Sequence, residues 1–401
     1  MKILLDVMSG DHAPSELIRG AILAAKEYEV SIVMIGDTAV IRECAEQNRW
    51  DLDLPNLSMV HADAVITMDD APLSVVREKQ NSSMALGLHM LANEEGDAFV
   101  SAGNTGALHA GSSLIVRRIK GIQRSAIAAL LPFDPPTLLL DAGANVEVTP
   151  QNLEQFARMG SIYMEKLFEL EQPRVGLLNN GTESHKGTKT EVEAYALLAQ
   201  NSDIHFIGNL EGKDVFDGKC DVLVTDGFSG NILLKTIEGA GSFFLHNIRQ
   251  VFSKNLLSRA SALFLKNGLR EMKHAFDASE YGGAPLLGLS KPIIKAHGNS
   301  DAYAVKNAVR QAIGYVNTGV TVEIAKYAMR LEQTEAEGKE PLSIAPAPDC
   351  AQPAEPEVAP PSPADENPTE RRKLFSKRKK EPNAESVPQT NPSDKEQEEN
   401  L

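Results

Sequence analysis

The sequence has few cysteines and no long apolar run. Cys44, Cys220 and Cys350 lie far apart and form no C-x-x-C pair, so neither a disulfide framework nor a zinc knuckle is indicated. The apolar run at residues 3–5 is cut by Asp6 and is too short for a signal peptide. No later run approaches the roughly 18 residues of a membrane span. We therefore expect a soluble, cytosolic protein.

Positive charge is also scarce, because the formal net charge is -15 at pH 7. Nucleic-acid binding is driven by Lys and Arg that release counterions from phosphates. The composition thus argues against general nucleic-acid affinity, and an anionic partner would need a local basic patch.

Several catalytic motifs are missing. There is no G-x-x-x-x-G-K-[ST] P-loop, no G-x-G-x-x-G and no H-E-x-x-H, which removes most support for nucleotide, dinucleotide and zinc-protease sites. Ser229 lies in DGFSG, which lacks the G-x-S-x-G spacing of a nucleophile elbow. No histidine is a clear partner for it, so a backbone role is the better interpretation.

The chain divides near residue 330. Residues 331–401 hold 12 of the 22 prolines and a single aromatic residue, Phe375. Such a segment cannot bury enough apolar surface to offset its ordering entropy, so it is predicted to be a disordered tail. The preceding residues 1–330 are long enough for a substantial core and are predicted to form the folded α/β domain.

Inside the tail, the cluster RRKLFSKRKK at residues 371–380 carries seven positive charges. Three interpretations stay open: a solvated charge block, an electrostatic tether to anionic lipid, or a nuclear localisation signal.

A local pattern recurs six times in residues 1–330: an apolar run that ends in a small or polar residue and glycine. The six segments are LLDVMSGD, FVSAGNTG, LLLDAGAN, VGLLNNGT, VLVTDGFSGN and IIKAHGNS. Most are followed by helical periodicity, at residues 108–120, 149–170, 190–200 and from 232 onward. Alternating strands and helices predict an α/β domain with a largely parallel sheet.

In a parallel sheet the carboxyl ends of the strands share one edge, and ligands bind outside it. We therefore expect the six polar ends to converge on one cleft lined by Asp6, Ser101, Asn104, Asp141, Asn145, Asn179, Asp226, Asn231 and His297. Asp6, Asp141 and Asp226 could gather around a divalent cation. Such aspartates also cap the following helix, and we assign no metal.

The glycine-rich turns between strand and helix favour an oxyanion, because free N–H groups and the helix dipole attract negative charge. Lys186 follows a strand in a polar segment at residues 181–189 and adds a positive charge that could hold phosphate. Each turn alone is better explained by a structural role, since glycine is the default where φ is positive. Taken together, the turns favour an anion site.

Residues 242–278 depart from this pattern, with apolar residues at spacings of three and four and no proline. They are predicted to form one long helix or a protruding helical hairpin. It could serve as a core or dimer-interface element, or as a basic amphipathic surface that meets membrane or an acidic protein.

Several motifs follow one another in the order found in one known family. They are DVMSGDHAP from Asp6, VSAGNTGAL from Val100, LDAGAN from Leu140, NGTE from Asn180 with Lys186–Gly187, DGFSGN from Asp226, YGGAPLLG from Tyr281 and KAHG from Lys295. This set resembles the bacterial phosphate acyltransferase family PlsX, from Met1 to about Arg330. Ser9 stands where that family usually has glycine, and the tail lies outside the resemblance.

The resemblance implies a three-layer α/β/α fold similar to isocitrate and isopropylmalate dehydrogenases, and a homodimer without a cofactor. It implies transfer of a fatty acyl chain from acyl carrier protein to inorganic phosphate, a step toward phosphatidic acid. It further implies peripheral attachment through residues 242–278 to the inner face of the plasma membrane, where a membrane acyltransferase would take the acyl phosphate.

Together with the strand-end pattern, the resemblance suggests roles for the candidate residues. Phosphate is expected at Lys186, at the turn Ser101, Gly103, Asn104, Thr105 and Gly106, and at Gly181 and Thr182. The amides of Asn231 or Asn180 would face the oxyanion. Asp226 or His12 would handle a proton.

Two other function classes stay open from the sequence. One is a metal- and nicotinamide-dependent hydroxyacid dehydrogenase of the same fold group, supported only by Asp6, Asp141 and Asp226. The other is a non-catalytic membrane scaffold that uses residues 242–278 and the basic cluster of the tail.

Overall fold

A computed structural model describes residues 1–131, 133, 135–254, 280 and 282–336, which fall within a compact unit that spans Met1–Ala345. Of the disordered tail predicted at 331–401, residues 331–336 are helical instead. The remainder, with its basic cluster at 371–380, lies outside the described residues. So does most of the predicted helical segment 242–278, from residue 255 onward.

Eleven strands of the described chain form one sheet. They are β1 (Lys2–Asp6), β2 (Ser31–Gly36), β3 (Leu57–His61), β4 (Ala98–Ser101), β5 (Ala126–Leu131), β6 (Thr137–Leu140), β7 (Arg174–Leu178), β8 (His205–Leu210), β9 (Val222–Val224), β10 (Ala284–Leu287) and β11 (Ile293–Lys295). Their order across the sheet is β3-β2-β1-β4-β11-β10-β5-β6-β9-β7-β8.

The sheet is largely parallel, as predicted, but it contains two parallel halves that run in opposite directions. One half comprises β3, β2, β1, β4 and β11, and the other comprises β6, β9, β7 and β8. Between them, β10 pairs antiparallel with both β11 and β5, and β5 pairs antiparallel with β6. Three successive reversals therefore turn the second half around.

Nine helices of the described chain cover the sheet. They are α1 (Ser15–Glu27), α2 (Thr38–Asn48), α3 (Ser83–Ala92), α4 (Thr105–Gly111), α5 (Pro150–Leu167), α6 (Lys189–Gln200), α7 (Gly227–Ser253), α8 (Ala302–Thr318) and α9 (Val320–Ala336). The helix predicted at 108–120 is shorter than expected, because α4 passes into a π-helical turn at Ser112–Val116 and Arg117 adopts a positive φ of 71°.

Alternation along the strands builds two cores. In β1, Ile3 and Leu5 pack on the face covered by α1, α5 and α8, whereas Leu4 packs on the face covered by α3 and α4. Successive strand side chains point to opposite faces, so a strand buried on both sides reads as a continuous apolar run. This arrangement gives helix, sheet and helix layers.

The polar residues that end the apolar runs often begin the next helix. The side chains of Asp37, Ser82, Asn104, Thr149, Thr188, Asp226 and Asp301 accept hydrogen bonds from the first-turn N–H groups of α2 to α8. Each such cap is worth about 1 kcal/mol. In two of the six recurring segments, FVSAGNTG and VLVTDGFSGN, the polar residue is such a cap, namely Asn104 and Asp226.

Helix α7 enters the segment 242–278, which is predicted to form one long helix or a helical hairpin. It starts at Gly227, directly after β9, and continues without interruption to Ser253. Phe243, Phe244 and Val251 on it are more than half exposed. Within the described residues, no helix is both long and apolar enough to cross a membrane.

Candidate active site

The prediction that six strand ends share one edge is wrong. Strands β1, β4 and β11 end at one edge of the sheet, here called the first edge. Strands β6, β9 and β7 end at the opposite one, the second edge, because the second half of the sheet is reversed. Asp6, Ser101 and His297 thus belong to the first edge, and Asp141, Asn179 and Asp226 belong to the second.

At the first edge, Asp6 and Ser101 form a buried pair. The Ser101 hydroxyl donates to Asp6 Oδ2 at 2.8 Å and accepts from the Gly103 N–H at 3.1 Å. Both side chains are fully buried. Ser101 therefore holds the turn after β4 to the end of β1, and its polar groups are engaged within the protein.

Asn104 also holds this turn. Its Oδ1 caps α4 by accepting from the Ala107 N–H at 3.0 Å. Its amide donates to three carbonyl oxygens of the neighbouring loop, those of Thr67, Met68 and Asp70. Thr105, the next residue, is exposed, so it is the side chain of this turn that is open to a ligand.

The loop after β1 reaches the loop after β11. The Asp11 N–H donates to the Gly298 carbonyl oxygen at 2.8 Å. Gly10 has a φ of 129°, and a Cβ there would lie 3.2 Å from the same oxygen. Glycine is therefore required where the two loops meet. His12 follows on the exposed outside of this turn.

Two lysines and a histidine lie beside these loops. The Lys295 ammonium, at the end of β11, donates to the carbonyl oxygens of Ala102 and Ala296. Lys235 Nζ on α7 lies 2.9 Å from His297 Nε2 and 2.7 Å from Glu238 Oε2. Burial lowers the pKa of Lys295 to about 8, against the attraction of the Asp11 and Asp6 carboxylates.

At the second edge, the buried Asp141 carboxylate organises the loop after β6. It accepts backbone N–H groups from Ile127, Gly143, Ala144 and Asn145 at 2.7–3.2 Å, and also the Asn145 side-chain amide at 2.8 Å. Its acceptor sites are filled by the protein itself. Asp141 is a structural anchor in this conformation.

Asp226 has a capping role as well. It begins α7 and accepts the Ser229 N–H at 2.8 Å. The Gly227 N–H donates to the Asn145 carbonyl oxygen at 2.7 Å, which ties α7 to the loop after β6. Asp6, Asp141 and Asp226 do not gather around a common point, and the described ranges contain no group of three or more metal-ligating side chains.

The loop that contains Lys186 closes on itself. The Asn179 amide donates to the Lys186 carbonyl oxygen at 3.0 Å, and the Asn180 N–H donates to Asn179 Oδ1 at 2.8 Å. Gly181 is buried beneath the Lys186 side chain, whereas Thr182 is exposed. The Lys186 ammonium has no hydrogen-bond or ion-pair partner among the described residues.

A cavity of about 760 Å³ lies between α7 and the central strands. Its polar part contains Thr105, Asn231, Lys235, Lys295 and His297, and its apolar part includes Ile127, Ala129, Leu130, Ala142 and Leu234. Of the predicted site residues, Gly103, Thr105 and Asn231 line it, as does His297 from the wider list. Lys186, Asn180, Gly181, Thr182, Asp226, His12, Ser101, Asn104 and Gly106 do not.

Lys235 and Lys295 were not among the predicted site residues. For Lys295 a signal existed, since it directly follows the apolar pair Ile293–Ile294 at a strand end. For Lys235 the signal was weaker: it lies four residues after Asn231, hence on the same face of a helix. Only the packing of α7 across the sheet brings it to His297.

Comparison with known proteins places this arrangement in a family. The model of the family described as "Fatty acid synthesis protein" matches residues 1–323. Proteins named phosphate acyltransferase from Thermoanaerobacter pseudethanolicus and Fusobacterium nucleatum are 46% and 45% identical to this chain. The alignments cover 80% and 81% of this chain, and 95% and 98% of the relatives.

Solved structures add a likeness of fold. The EutD phosphotransacetylase from Staphylococcus aureus has a TM-score of 0.50 at 16% identity, and a phosphotransacetylase from Streptococcus pyogenes has 0.53 at 15%. Each covers 80% of this chain, and 94% of the solved chain is matched. At this identity the likeness concerns the fold alone. The comparison with isocitrate and isopropylmalate dehydrogenases stays a prediction.

Proposed function

The chain belongs to the phosphate acyltransferase family and is an acyltransferase of fatty acid and phospholipid synthesis, and on that basis we propose its full reaction. It transfers a fatty acyl group from the thioester of acyl carrier protein to inorganic phosphate. The products are acyl phosphate and free carrier protein.

The observation that supports this proposal best is the composition of the cavity. One part offers ammonium, hydroxyl and amide groups, as an anion requires, beside the carboxylates of Glu238 and Asp301, and the adjoining part is apolar. The two proposed substrates match these two parts, because phosphate is an anion and the acyl chain of the thioester is apolar. Ligand sites commonly combine a mainly apolar lining with a few polar groups that fix orientation.

The reaction needs no acylated side chain. An oxygen of HPO₄²⁻ attacks the thioester carbonyl carbon, the new C–O bond forms, and the C–S bond breaks. The phosphate proton ends on the departing sulfur, so acyl phosphate and thiol are formed with charge and atoms balanced. A thiol of pKa about 8.5 is a good leaving group, and the enzyme must mainly position the reactants and stabilise the oxyanion.

Asn231 is the best-supported candidate for the oxyanion, because it lines the cavity at the start of α7. Thr105 and the Gly103 backbone lie along the same lining. For Lys186, with Asn180, Gly181 and Thr182, the proposed role in holding phosphate depends on the sequence pattern alone. The proposed transfer of a proton by Asp226 or His12 also depends on the sequence pattern alone.

Attachment and assembly are also proposals. A homodimer, peripheral contact with the inner face of the plasma membrane and delivery of acyl phosphate to a membrane acyltransferase follow from the family resemblance. They are supported by the exposed Phe243, Phe244 and Val251 on the described part of α7. Unpaired apolar surface of this kind commonly meets lipid or another protein.

The deciding experiment incubates the enzyme with acyl carrier protein thioester and phosphate, traps acyl phosphate with hydroxylamine and counts released thiols. We expect equal amounts of hydroxamate and thiol, both dependent on phosphate. Thiol release that is independent of phosphate would indicate a thioesterase instead. A complete lack of release would contradict the proposed reaction.

A further inference from the structure

Two lysines from distant parts of the chain share the polar part of the cavity. Lys295 ends β11, and Lys235 lies in the third turn of α7. Both line the cavity. The positive charge of Lys235 is close enough to contribute to lowering the pKa of Lys295. Two ammonium groups in one cavity repel each other, and the Glu238 carboxylate, 2.7 Å from Lys235, offsets part of this repulsion.

Lys295 is held in place by the backbone. Its ammonium donates to the carbonyl oxygens of Ala102, at 3.1 Å, and Ala296. An ammonium has three protons, so one donor is left after these two bonds. Desolvation works against its charge, and the carboxylates of Asp11 and Asp6 oppose that effect only in part.

Lys235 fixes the state of its neighbour. An ammonium can only donate, so at 2.9 Å His297 Nε2 must accept, and the imidazole is neutral with its proton on Nδ1. Burial, followed by the charge of Lys235, lowers the pKa of His297. Because the imidazole is neutral, the positive charge available to a bound anion comes from the ammonium groups.

The carboxylates of the cavity are already engaged. Glu238 accepts from Lys235 at 2.7 Å, and its side chain is 30% exposed. Asp301 caps α8 by accepting the Ala304 N–H at 2.9 Å. Lys295 therefore has one ammonium proton left to donate to a ligand. Lys235 and the Thr105 side chain line the same cavity.

We infer that Lys235 and Lys295 form the binding site for the inorganic phosphate dianion at the polar part of the cavity. The inference deepens the proposed function and depends on it for the identity of the anion. A dianion between the two ammonium groups relieves their repulsion through charge-assisted hydrogen bonds. The adjoining apolar lining would keep the thioester carbonyl within reach of a phosphate oxygen.

The first test measures binding without catalysis. Inorganic phosphate alone, at concentrations far above its dissociation constant, should raise the Tm of the full chain by about 2 °C or more. Lys235→Met and Lys295→Met should each abolish most of this rise. Lys291→Met is the matched control, because Lys291 pairs with Glu94 near the surface, lies outside the cavity lining and should leave the rise unchanged.

The second test measures kinetics. Each methionine variant should raise the KM for phosphate about 10- to 100-fold, the usual loss for a charge-assisted bond, with little change in the KM for the acyl thioester. Lys295→Arg should restore part of the affinity, and it keeps the test decisive if Lys295→Met folds poorly. Lys235 is on an exposed helix surface, so its variant should fold.

A pH series adds a readout that a structural role would not produce. Above pH about 8, phosphate is already a dianion, while Lys295 loses its proton because its pKa is about 8. The KM for phosphate should therefore rise with pH, by at most about tenfold per pH unit. Lys295→Arg should flatten this rise, because arginine stays charged.

The outcomes separate this inference from the proposed reaction. If the wild type forms acyl phosphate but both methionine variants keep the wild-type KM for phosphate, the lysine site is wrong and the reaction stands. If the wild type forms none, yet phosphate stabilises it and not the variants, the lysine site stands as an oxyanion site. A phosphate-dependent Tm rise that persists in both variants would overturn the inference.

Discussion

Both edges of the sheet carry the same sequence pattern, an apolar strand followed by a polar residue and glycine. The pattern has a different role at each edge. At the second edge, Asp141 receives hydrogen bonds from four backbone N–H groups and one amide, and Asp226 caps α7. At the first edge, Asp6, Ser101 and Asn104 are engaged in the same manner. The first edge, however, also brings Lys295 and, from α7, Lys235 to a cavity.

The difference shows how to separate structure from function in such loops. A polar group whose hydrogen bonds are all made inside the protein stabilises the fold. A pair of like charges in one cavity costs stability to the extent that neither a protein carboxylate nor a ligand neutralises it. By this criterion the aspartates hold the loops, and the lysine pair is placed for an anion.

The largest expected effect is a loss of stability when Asp141, at the second edge, is replaced. Asp141→Asn replaces one acceptor oxygen by an NH₂ group that faces N–H donors, so we expect the free energy of unfolding to fall by about 3 kcal/mol. Asp37→Asn is the control, since asparagine caps helices as well as aspartate and should change stability by less than about 0.5 kcal/mol. Denaturant unfolding measures both, and similar losses would remove the distinction between anchor and cap.

Next, Gly230→Ala tests the link between the second edge and the cavity. A Cβ at Gly230 would lie 1.9 Å from the Asp141 carbonyl oxygen, so the start of α7 must move. We expect the free energy of unfolding to fall by about 2 kcal/mol. Gly239→Ala, in the same helix with nothing within 4 Å, should instead stabilise by about 1 kcal/mol. Thermal unfolding measures the pair, and a stable Gly230→Ala protein would contradict the close packing.

Lys186→Ala tests whether the second edge takes part in phosphate binding. The role proposed from the sequence predicts a fall of at least about tenfold, roughly 1.4 kcal/mol, in kcat/KM for phosphate with the fold retained. Lys189→Ala, which removes an exposed lysine on α6 paired with Glu193, should leave kinetics unchanged. If both variants behave as wild type, the proposed role of Lys186 in phosphate binding is wrong.

The last comparison concerns Asn104 and Thr105, two neighbouring residues of the turn after β4. Asn104→Ala removes the cap of α4 and three bonds to the loop at residues 67–70, so we expect a loss of about 1 to 2 kcal/mol. Thr105→Ala removes an exposed side chain, so the free energy of unfolding should change by less than about 0.5 kcal/mol. The KM for phosphate or for the acyl thioester should rise. Equal stability losses would show that both residues only hold the turn.

The sequence pattern was sufficient for the fold class, because apolar runs of strand length alternate with helical periodicity. It also located the loops Ser101–Gly106 and Asp226–Asn231, since capping residues and glycine at strand ends are local signals. It placed all six polar ends at one edge of the sheet, which is wrong, although the loops after four of them, β4, β6, β9 and β11, line one cavity. Strand direction depends on which segments pair. β10, which begins more than 150 residues after β5 ends, pairs antiparallel with both β11 and β5, and the β5–β6 pair then turns the second half around.

By itself, the sequence determined which apolar runs form buried strands and which family the chain resembles, because these depend on neighbours in the chain. Only the tertiary structure decided that the sheet reverses, that Asp141 is an internal anchor, and that Lys235 meets Lys295 and His297. Those facts depend on long-range packing, in which α7 crosses the central strands and brings together groups that no local pattern connects.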